Sequence, residues 1–243
     1  MSRVLVTGSA DGLGRAAAHS LLGAGHDVVV HARNDTRAEV LGPLVEAGAA
    51  LVVGDLADRD QVRGLVGQLE GAPPLDAVIH NAGVYSGPAV IPVNVVAPYL
   101  LTALLPRPHR LVWLSSGSHF GGRAALDNVD WDGRRAGAYS DSKLFVTTLA
   151  TAVARLWPDV RSNAVDPGWV PTRMGGPGAP DDLKLGHATQ VWLATSGEAD
   201  ANITGGYWFH QRRRDPHPAV HDTAFQDRLL AALAEQTGVD LTN

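Results

Sequence analysis

The chain of 243 residues contains no cysteine, which excludes disulfide bonds and thiolate chemistry. Positive charge is also scarce. The formal net charge is -5, so neither nucleic acid nor an anionic membrane surface is an expected partner. The one basic run, Arg212 to Arg214, is followed by Asp215 and is predicted to be a solvated loop. No apolar run reaches the roughly 18 residues that span a bilayer, and a strand pattern begins at residue 3 with no signal peptide before it. These absences predict a cytoplasmic protein without membrane insertion.

Short apolar runs rich in valine alternate along the chain with longer segments of helical periodicity. Continuous apolar strands separated by helices are typical of a parallel sheet that is covered on both faces. Because hydrophobic residues make up 45% of the chain and no linker divides it, we predict one doubly wound α/β domain of the Rossmann type over residues 1–243. About seven mostly parallel strands are expected, at 3–7, 28–32, 50–53, 76–80, 110–115, 161–165 and 203–209.

Helical periodicity predicts helices near 13–24, 94–105, 139–156 and 219–236. The second and third of these carry apolar stripes that suit either the core or an interface between subunits, and the pattern does not separate the two roles. The segment 171–182, "PTRMGGPGAPDD", is rich in glycine and proline and is predicted to be a mobile loop over the substrate.

A glycine-rich turn joins the first strand to the first helix in "VLVTGSADGLGRAAA". Gly8, Gly12 and Gly14 would let the backbone turn tightly and approach a pyrophosphate at the N-terminus of the helix. A glycine motif alone is weak evidence, but its place between a first strand and a first helix favours nucleotide binding over a turn without a ligand.

Tyr139 and Lys143 stand four positions apart in "AYSDSKLF", within a predicted helix. Residues at this spacing lie on one face of a helix. A nearby ammonium favours the phenolate and lowers the pKa of a tyrosine, so the pair can serve as an acid/base device. The same spacing also occurs between two ordinary surface residues. The spacing alone therefore does not decide between an acid/base pair and two surface side chains.

Five motifs stand in the order typical of the short-chain dehydrogenases/reductases, and the chain resembles the compact members of that family. They are "TGSADGLG", "HNAG" at 80–83, "WLSSGSH" with Ser116, Tyr139-x-x-x-Lys143, and "DPGWVPT" at 166–172. The resemblance covers nearly the whole chain. Ser116 and Tyr139 are 23 positions apart, more than in many members, and the residues between them resemble the retinol-dehydrogenase-like subgroup.

The resemblance implies an oxidoreductase that transfers a hydride between a nicotinamide cofactor and a carbonyl or an alcohol. Tyr139 would be the general acid/base, Lys143 would lower its pKa and hold the nicotinamide ribose, and Asn94 would support a proton-relay water. Ser115 and Ser116 both follow the fifth strand and could polarise the substrate oxygen. The second serine of such a pair is the usual one in the family, which indicates Ser116.

The cofactor is expected to be NADP(H). Relatives that prefer NAD carry an acidic residue at the end of the second strand, whereas this chain has Ala32 there, followed by Arg33, which can bind a 2′-phosphate. Asp11, just before the second glycine of the motif, counts against NADP(H), because some family members carry a basic residue at that position. By resemblance the cofactor would contact Gly8, Ser9, Asp11, Gly12, Leu13, Gly14, Arg33, Asp55, Leu56, Asn81, Ala82, Gly83, Tyr139, Lys143, Pro167, Gly168, Val170 and Thr172.

The expected substrate is a small, apolar carbonyl or alcohol compound, and its pocket would be lined by Ser116, His119, Tyr139 and Trp169. The family often forms dimers through the two helices with apolar stripes, so a homodimer or homotetramer is expected. Histidines do not indicate a metal site, because the two prolines in "DPHPAVHD" break any regular helix and no third ligand has a convincing spacing.

Two other functions would suit the same fold. A non-catalytic NAD(P)-binding sensor would be expected to have lost Tyr139 or Lys143, and both are present. An epimerase or dehydratase is disfavoured by the spacing of the glycines and by the short C-terminal region.

Overall fold

A computed structural model describes residues 1–241 as an eight-stranded sheet with helices on both faces. The strand order is β3-β2-β1-β4-β5-β6-β7-β8, and all neighbours are parallel except β7 and β8. The strands are β1 Arg3–Val6, β2 Asp27–Ala32, β3 Ala50–Val53, β4 Ala77–His80, β5 Arg110–Leu114, β6 Arg161–Asp166, β7 Tyr207–Phe209 and β8 Arg212–Arg214.

Eight α-helices flank the sheet in the described part of the chain. They are α1 Gly12–Gly23, α2 Asp35–Glu39, α3 Gly42–Glu46, α4 Arg59–Gln68, α5 Ala97–Leu104, α6 Tyr139–Leu156, α7 Leu183–Thr195 and α8 Thr223–Thr237. One apolar core joins the sheet to α4, α5, α6 and α8, and a second core on the other face joins it to α1, α3 and α7. No helix within residues 1–241 is both long and apolar enough to cross a membrane.

The predicted doubly wound α/β fold is confirmed, but the sheet has eight strands, one more than expected. The additional strand is Arg212–Arg214, so the prediction of a solvated loop at these residues is wrong. His210 and Gln211 both have left-handed φ, 49° and 59°, which matches the tight turn that a twisted two-stranded hairpin favours. The arginine side chains of β8 are exposed, as charged groups commonly are on an edge strand. Residues 242 and 243, the end of the predicted 1–243 domain, lie outside the described residues.

Three predicted elements have different bounds in the structure. The run 203–209 pairs only over Tyr207–Phe209, because the chain turns at Gly205, whose φ is 74°. The helix near 94–105 consists of a π-helical turn, Pro92–Val96, and α5, since Pro98 has no N–H to complete an α-helical bond. The helix near 219–236 is preceded by a 3-10 turn, and α8 begins after Asp222, whose carboxylate accepts from the backbone N–H of Ala224 at 2.9 Å.

The apolar stripes of α5 and α6 serve the core of the chain itself. Phe225, Leu229 and Leu233 of α8 are fully buried in the same core as these two helices. Tyr99 of α5 also donates its hydroxyl to the carbonyl oxygen of Val239 at 2.7 Å, which ties α5 to the residues after α8. Little apolar surface therefore remains on α5 and α6 for the expected contact between subunits.

Candidate active site

The predicted functional residues converge where the carboxyl ends of the parallel strands meet. The strand order reverses between β1 and β4, which are neighbours in the sheet but are followed by connections on opposite faces. Such a switch point leaves a crevice at the carboxyl ends of the strands, and ligands of doubly wound folds bind there.

The glycine-rich turn is packed so closely that side chains would not fit. A Cβ atom on Gly14 would lie 2.3 Å from Nδ2 of Asn81 and 2.4 Å from the carbonyl oxygen of Gly8. Gly8 has a left-handed φ of 67°, and a Cβ there would lie 2.9 Å from Cα of Ala82. The turn after β1 and the "HNAG" segment after β4 are therefore in direct contact, and Asn81 donates to the carbonyl oxygen of Thr7 at 2.9 Å.

His31 of β2 supports this turn, and the sequence analysis did not single it out. Its Nδ1 accepts from the backbone N–H of Gly8 at 2.9 Å, and its Nε2 lies 2.8 Å from the carbonyl oxygen of Gly54. Burial lowers the pKa of His31, so the ring is neutral and Nε2 carries the proton. The only signal in the sequence is a histidine within the apolar run "VVVHA".

The remaining residues predicted to contact the cofactor surround the same crevice. Ser9 is fully buried and accepts from the backbone N–H of His31 at 3.1 Å, whereas Asp11 caps α1 through the N–H of Gly12 at 2.8 Å. After β3, Leu56 is buried, and Asp55 accepts from the N–H of Ala57. The residues after β4 and β6 complete the set: Asn81, Ala82, Gly83, Pro167, Gly168, Val170 and Thr172.

A cleft of about 420 Å³ separates the start of α1 from the loop that follows β6. Asp11, Gly12 and Arg15 line one side, and Thr172 and Arg173 line the other. A Cβ atom on Gly12 would lie 3.1 Å from Cγ2 of Thr172, so the two walls touch at that point. Leu13, the second residue of α1, is half-buried.

These residues fit a dinucleotide on two observations. First, Gly8 and Gly14 let the turn after β1 pack against the "HNAG" segment, where a Cβ atom would collide with the protein, and a glycine turn at a helix N-terminus lets a pyrophosphate approach the backbone. In addition, Oδ1 of Asn81 is buried and has no hydrogen-bond partner within residues 1–241, which leaves an acceptor available at the crevice.

Arg33 follows β2 and its side chain is exposed, as binding of a phosphate at the rim of the crevice requires. A second guanidinium lies nearer to the turn. Arg37 of α2 donates to the carbonyl oxygen of Ala10 at 3.2 Å and forms an ion pair of 3.4 Å with Asp11. The pair offsets the negative charge of Asp11 that the sequence analysis regarded as unhelpful.

Tyr139 is the first residue of α6 and Lys143 lies one turn further, on the same face. The Nζ atom of Lys143 is 5.5 Å from the centre of the Tyr139 ring, and the Tyr139 hydroxyl interacts with the side chain of Ser116. The structure therefore brings together the three residues that the sequence separates by up to 27 positions.

The direction of the Tyr139 pKa differs from the expectation. Burial raises it to about 12, and the charge of Asp166 acts in the same direction, while the contact with Ser116 lowers it. The Lys143 ammonium does not reverse this shift, and burial lowers the pKa of Lys143 itself to about 8. Its Nζ donates instead to the carbonyl oxygen of Leu114 at 2.7 Å. Without ligand, Tyr139 is thus a protonated phenol at neutral pH.

The two serines after β5 have different surroundings. Ser115 is buried and its hydroxyl is engaged with that of Thr147 at 2.5 Å. Ser116 is half-buried, accepts only a long bond of 3.2 Å from the N–H of Ser118, and faces Tyr139. The geometry favours Ser116 as the residue available to a substrate oxygen.

Asn94 is buried within the π-helical turn before α5, not exposed at a helix end. Its amide bonds both backbone groups of Val84, at 2.8 and 3.0 Å, and donates to Oγ of Ser142 at 3.0 Å. A Cβ on Gly83 would lie 3.4 Å from Oδ1 of Asn94 and 3.6 Å from Nζ of Lys143, so Asn94 and Lys143 flank the same backbone.

Of the two further residues predicted to line the substrate pocket, only Trp169 is open to a ligand. Trp169 is 60% exposed. His119 has no exposed surface, and its ring lies between the carbonyl oxygen of Ser116 and the N–H of His217. His119 therefore ties the end of β5 to the segment before α8.

Two residues of the site escaped the sequence analysis. Asp166 ends β6 and accepts from the N–H of Gly168 at 2.9 Å and from the hydroxyl of Tyr207 at 3.2 Å. Tyr207, in β7, is 3% exposed. In the sequence Asp166 is only the first residue of the "DPGWVPT" motif, whereas the register of β5 and β6 sets it level with Ser115.

The segment 171–182 is a loop, as predicted, and its ends are fastened to each other. The carboxylate of Asp181 accepts from the N–H of Trp169 at 2.6 Å, and the Asp181 N–H donates to the Trp169 carbonyl oxygen at 3.0 Å. The Trp169 indole donates across the loop to the carbonyl oxygen of Gly175 at 2.8 Å. No group of three potential metal ligands is found among residues 1–241.

This arrangement is that of a Rossmann-type dinucleotide-binding fold, with Ser116, Tyr139 and Lys143 close together at the carboxyl ends of the strands. Residues 2–104 match the family model described as short chain dehydrogenase. The chain is 35% identical to the short-chain dehydrogenase chry4 of Gibberella zeae, with 99% of each chain covered. It is 26% identical to human retinol dehydrogenase 13 over 98% of this chain and 85% of that protein. The chain therefore belongs to the short-chain dehydrogenase family and has retinol-dehydrogenase-like relatives, as its motifs predict.

A solved structure of a short-chain dehydrogenase from Shigella flexneri, complexed with NADP, has the same fold. Its TM-score is 0.71 at 25% identity, and 87% of this chain and 97% of that chain are covered. The family and this fold support an oxidoreductase that binds a nicotinamide cofactor.

Proposed function

We propose that the protein is an NADP-dependent oxidoreductase that interconverts a carbonyl group and an alcohol on a small, apolar substrate, in the cytoplasm. One observation carries the proposal: Ser116, Tyr139 and Lys143 meet beside a glycine cradle that has no room for side chains. When bound, the cofactor supplies or accepts the hydride.

The chain's own groups would handle the oxygen and the proton. Reduction of a carbonyl builds negative charge on its oxygen, and a hydroxyl donor from Ser116 stabilises that charge. Tyr139 is protonated at neutral pH and so can give the oxygen its proton. Lys143, with Nζ at the carboxyl end of β5, would hold the ribose hydroxyls, and Asn94 would position the backbone around Gly83.

The preference for NADP rests on the charges at the end of β2. The strand ends in Ala32, with no carboxylate to repel a 2′-phosphate, and exposed Arg33 follows it. Arg37 keeps a second guanidinium beside the glycine-rich turn. Two arginines in this position favour a doubly charged phosphate over a pair of ribose hydroxyls.

The apolar character of the substrate rests on the side chains that surround Tyr139. Four of the eight exposed large apolar side chains among residues 1–241 lie on the turns after β4, β5 and β6, where the site is: Tyr85, Phe120, Trp169 and Met174. Tyr85 is 63% exposed with its ring 4.8 Å from that of Tyr139, and Phe120 is 53% exposed close to Ser116. An apolar substrate would cover surface that is otherwise unfavourably hydrated.

Cofactor fluorescence and oxidation test the function. NADPH should bind with a change in its fluorescence, and it should be oxidised when a panel of apolar aldehydes and ketones is added. Tyr139→Phe should bind NADPH nearly as well and lose at least about a hundredfold in turnover, the usual scale of acid/base catalysis.

Tyr99→Phe is the matched control, because Tyr99 is a buried tyrosine of the core whose hydroxyl bonds Val239 far from the site. It should keep its turnover. Binding of NADPH without turnover of any carbonyl would instead favour a sensor, and undiminished turnover in Tyr139→Phe would reject the mechanism.

A further inference from the structure

Asp166 has a place in the sheet that sets it against the reaction centre. The register of β5 and β6 pairs Leu114 with Val165, so Asp166 is level with Ser115. The carboxylate lies directly behind Gly117, since a Cβ on that glycine would be 3.2 Å from Oδ2 of Asp166. Lys143 bonds the carbonyl oxygen of Leu114 at the end of the neighbouring strand.

The carboxylate is also held in one orientation. Oδ1 accepts from the N–H of Gly168, and Oδ2 accepts from the hydroxyl of Tyr207, which is buried. Both carboxylate oxygens are thereby fixed in place. A fixed negative charge is therefore built into the wall behind Ser116.

Several titratable groups face this charge. The charge of Asp166 acts on Tyr139 and Lys143 of α6, on Tyr207 of β7 and on His119 of the turn after β5. Of these groups, Tyr207 bonds the carboxylate directly, and Lys143 bonds the carbonyl oxygen of Leu114, which pairs with the residue just before Asp166. Two groups further out also contribute: the charge of Arg214 lowers the pKa of Tyr207, and the charge of His217 lowers the pKa of His119. Burial lowers the pKa of Lys143 to about 8, and the charge of Asp166 opposes this shift.

We propose that Asp166 is a positioning residue whose negative charge keeps Lys143 as an ammonium and Tyr139 as a phenol. Both groups then stay protonated under the conditions in which a carbonyl oxygen must receive a proton. In the proposed function, on which this consequence rests, Asp166 extends carbonyl reduction toward alkaline pH.

The chain offers a direct measurement because it contains only two lysines, Lys143 and Lys184. Lysine labelled with ¹³C at Cε would give two NMR signals, and Lys184→Arg would identify the signal of Lys143. In the free protein this signal should titrate with a midpoint at about 8. In Asp166→Asn the midpoint should fall by about one pH unit, the scale of one charge interaction in a protein.

Asp166→Asn is close to isosteric, and its amide oxygen can still accept from Gly168. Tyr207→Phe is the matched control, because it removes a bond to the carboxylate but keeps the charge. Its Lys143 midpoint should stay within about 0.3 unit of the parent value, well below the effect of losing a charge. An unchanged midpoint in Asp166→Asn, or equal shifts in the two variants, would overturn the proposal.

This titration needs neither cofactor nor substrate, so it is independent of the proposed function. With a substrate in hand, the alkaline limb of the pH profile of kcat for reduction should move to lower pH in Asp166→Asn and stay in place in Tyr207→Phe. A normal Lys143 shift without any carbonyl reduction would reject the oxidoreductase function alone.

Discussion

At the scale of single residues, the two serines after β5 differ in what their hydroxyls can reach. Ser116→Ala should lower kcat about a hundredfold, as expected for the loss of one donor to a developing oxyanion. Ser115→Ala should change kcat little and lower the free energy of unfolding by about 1 kcal/mol, because it removes the buried bond to Thr147. Steady-state kinetics and urea unfolding of both variants measure this. An equal loss of kcat in Ser115→Ala would show that Ser116 is not the one serine that donates to the substrate oxygen.

Arg33 is the residue on which the cofactor preference depends most. Arg33→Ala should weaken NADPH binding about ten- to a hundredfold, since a hydrogen bond to a charged group contributes roughly 1.5–3 kcal/mol. Binding of NADH should hardly change, because NADH has no 2′-phosphate. Fluorescence titration of both cofactors into both proteins gives the four dissociation constants.

Arg134→Ala is the control for loss of an exposed arginine elsewhere, since its side chain is 81% exposed in the segment before α6. It should bind both cofactors like the parent. Equal weakening of NADPH and NADH in Arg33→Ala, or a parent protein that prefers NADH, would contradict the assignment.

At the scale of elements, the loop 171–182 is both fastened and exposed. Its ends are joined through Asp181 and Trp169, while Arg173 near its start is exposed and Thr172 lies against Gly12. A cofactor in the cleft would contact this segment, and loops of this kind commonly close over ligands.

Limited proteolysis with trypsin should therefore cut at Arg173, and saturating NADPH should slow that cut at least about tenfold. The exposed Arg134, in the segment before α6, provides an internal reference whose cleavage should not change. Cleavage at Arg173 that is indifferent to NADPH would count against a lid.

At the scale of the whole molecule, stability should fall in acid because buried histidines must stay neutral. The rings of His80 and Trp113 are in contact, with their centres 4.5 Å apart. Burial lowers the pKa of His80 to about 3. The unfolded chain takes up a proton near pH 6.5 while the folded chain does not, so the free energy of unfolding decreases as the pH falls below 6.5. His80 alone should cost about 2 kcal/mol between pH 6.5 and pH 5.

Urea unfolding at pH 7 and pH 5 would measure this loss. His80→Gln keeps a donor for Thr102, whose hydroxyl lies 2.9 Å from Nε2 of His80, but it cannot titrate. The variant should lose about 2 kcal/mol less than the parent between the two pH values. The same loss in both proteins would show that His80 does not carry the effect.

The sequence by itself determined the features that local pattern encodes. Valine-rich runs and helical periodicity predicted the doubly wound sheet, because the spacing of apolar residues within each element indicates which of its faces is buried. The spacing of Gly8, Gly12 and Gly14 and of Tyr139 and Lys143 placed each motif on one turn or one helix face, where neighbours in sequence are neighbours in space.

Only the tertiary structure decided what depends on residues from different strands. Asp166, Tyr207 and His31 stand in strands separated by long connections, and their contacts arise from sheet register that no local pattern records. Burial, too, is a property of the assembled chain. It raises the pKa of Tyr139 to about 12, hides the ring of His119, and leaves the side chain of Ser116 more exposed than that of Ser115.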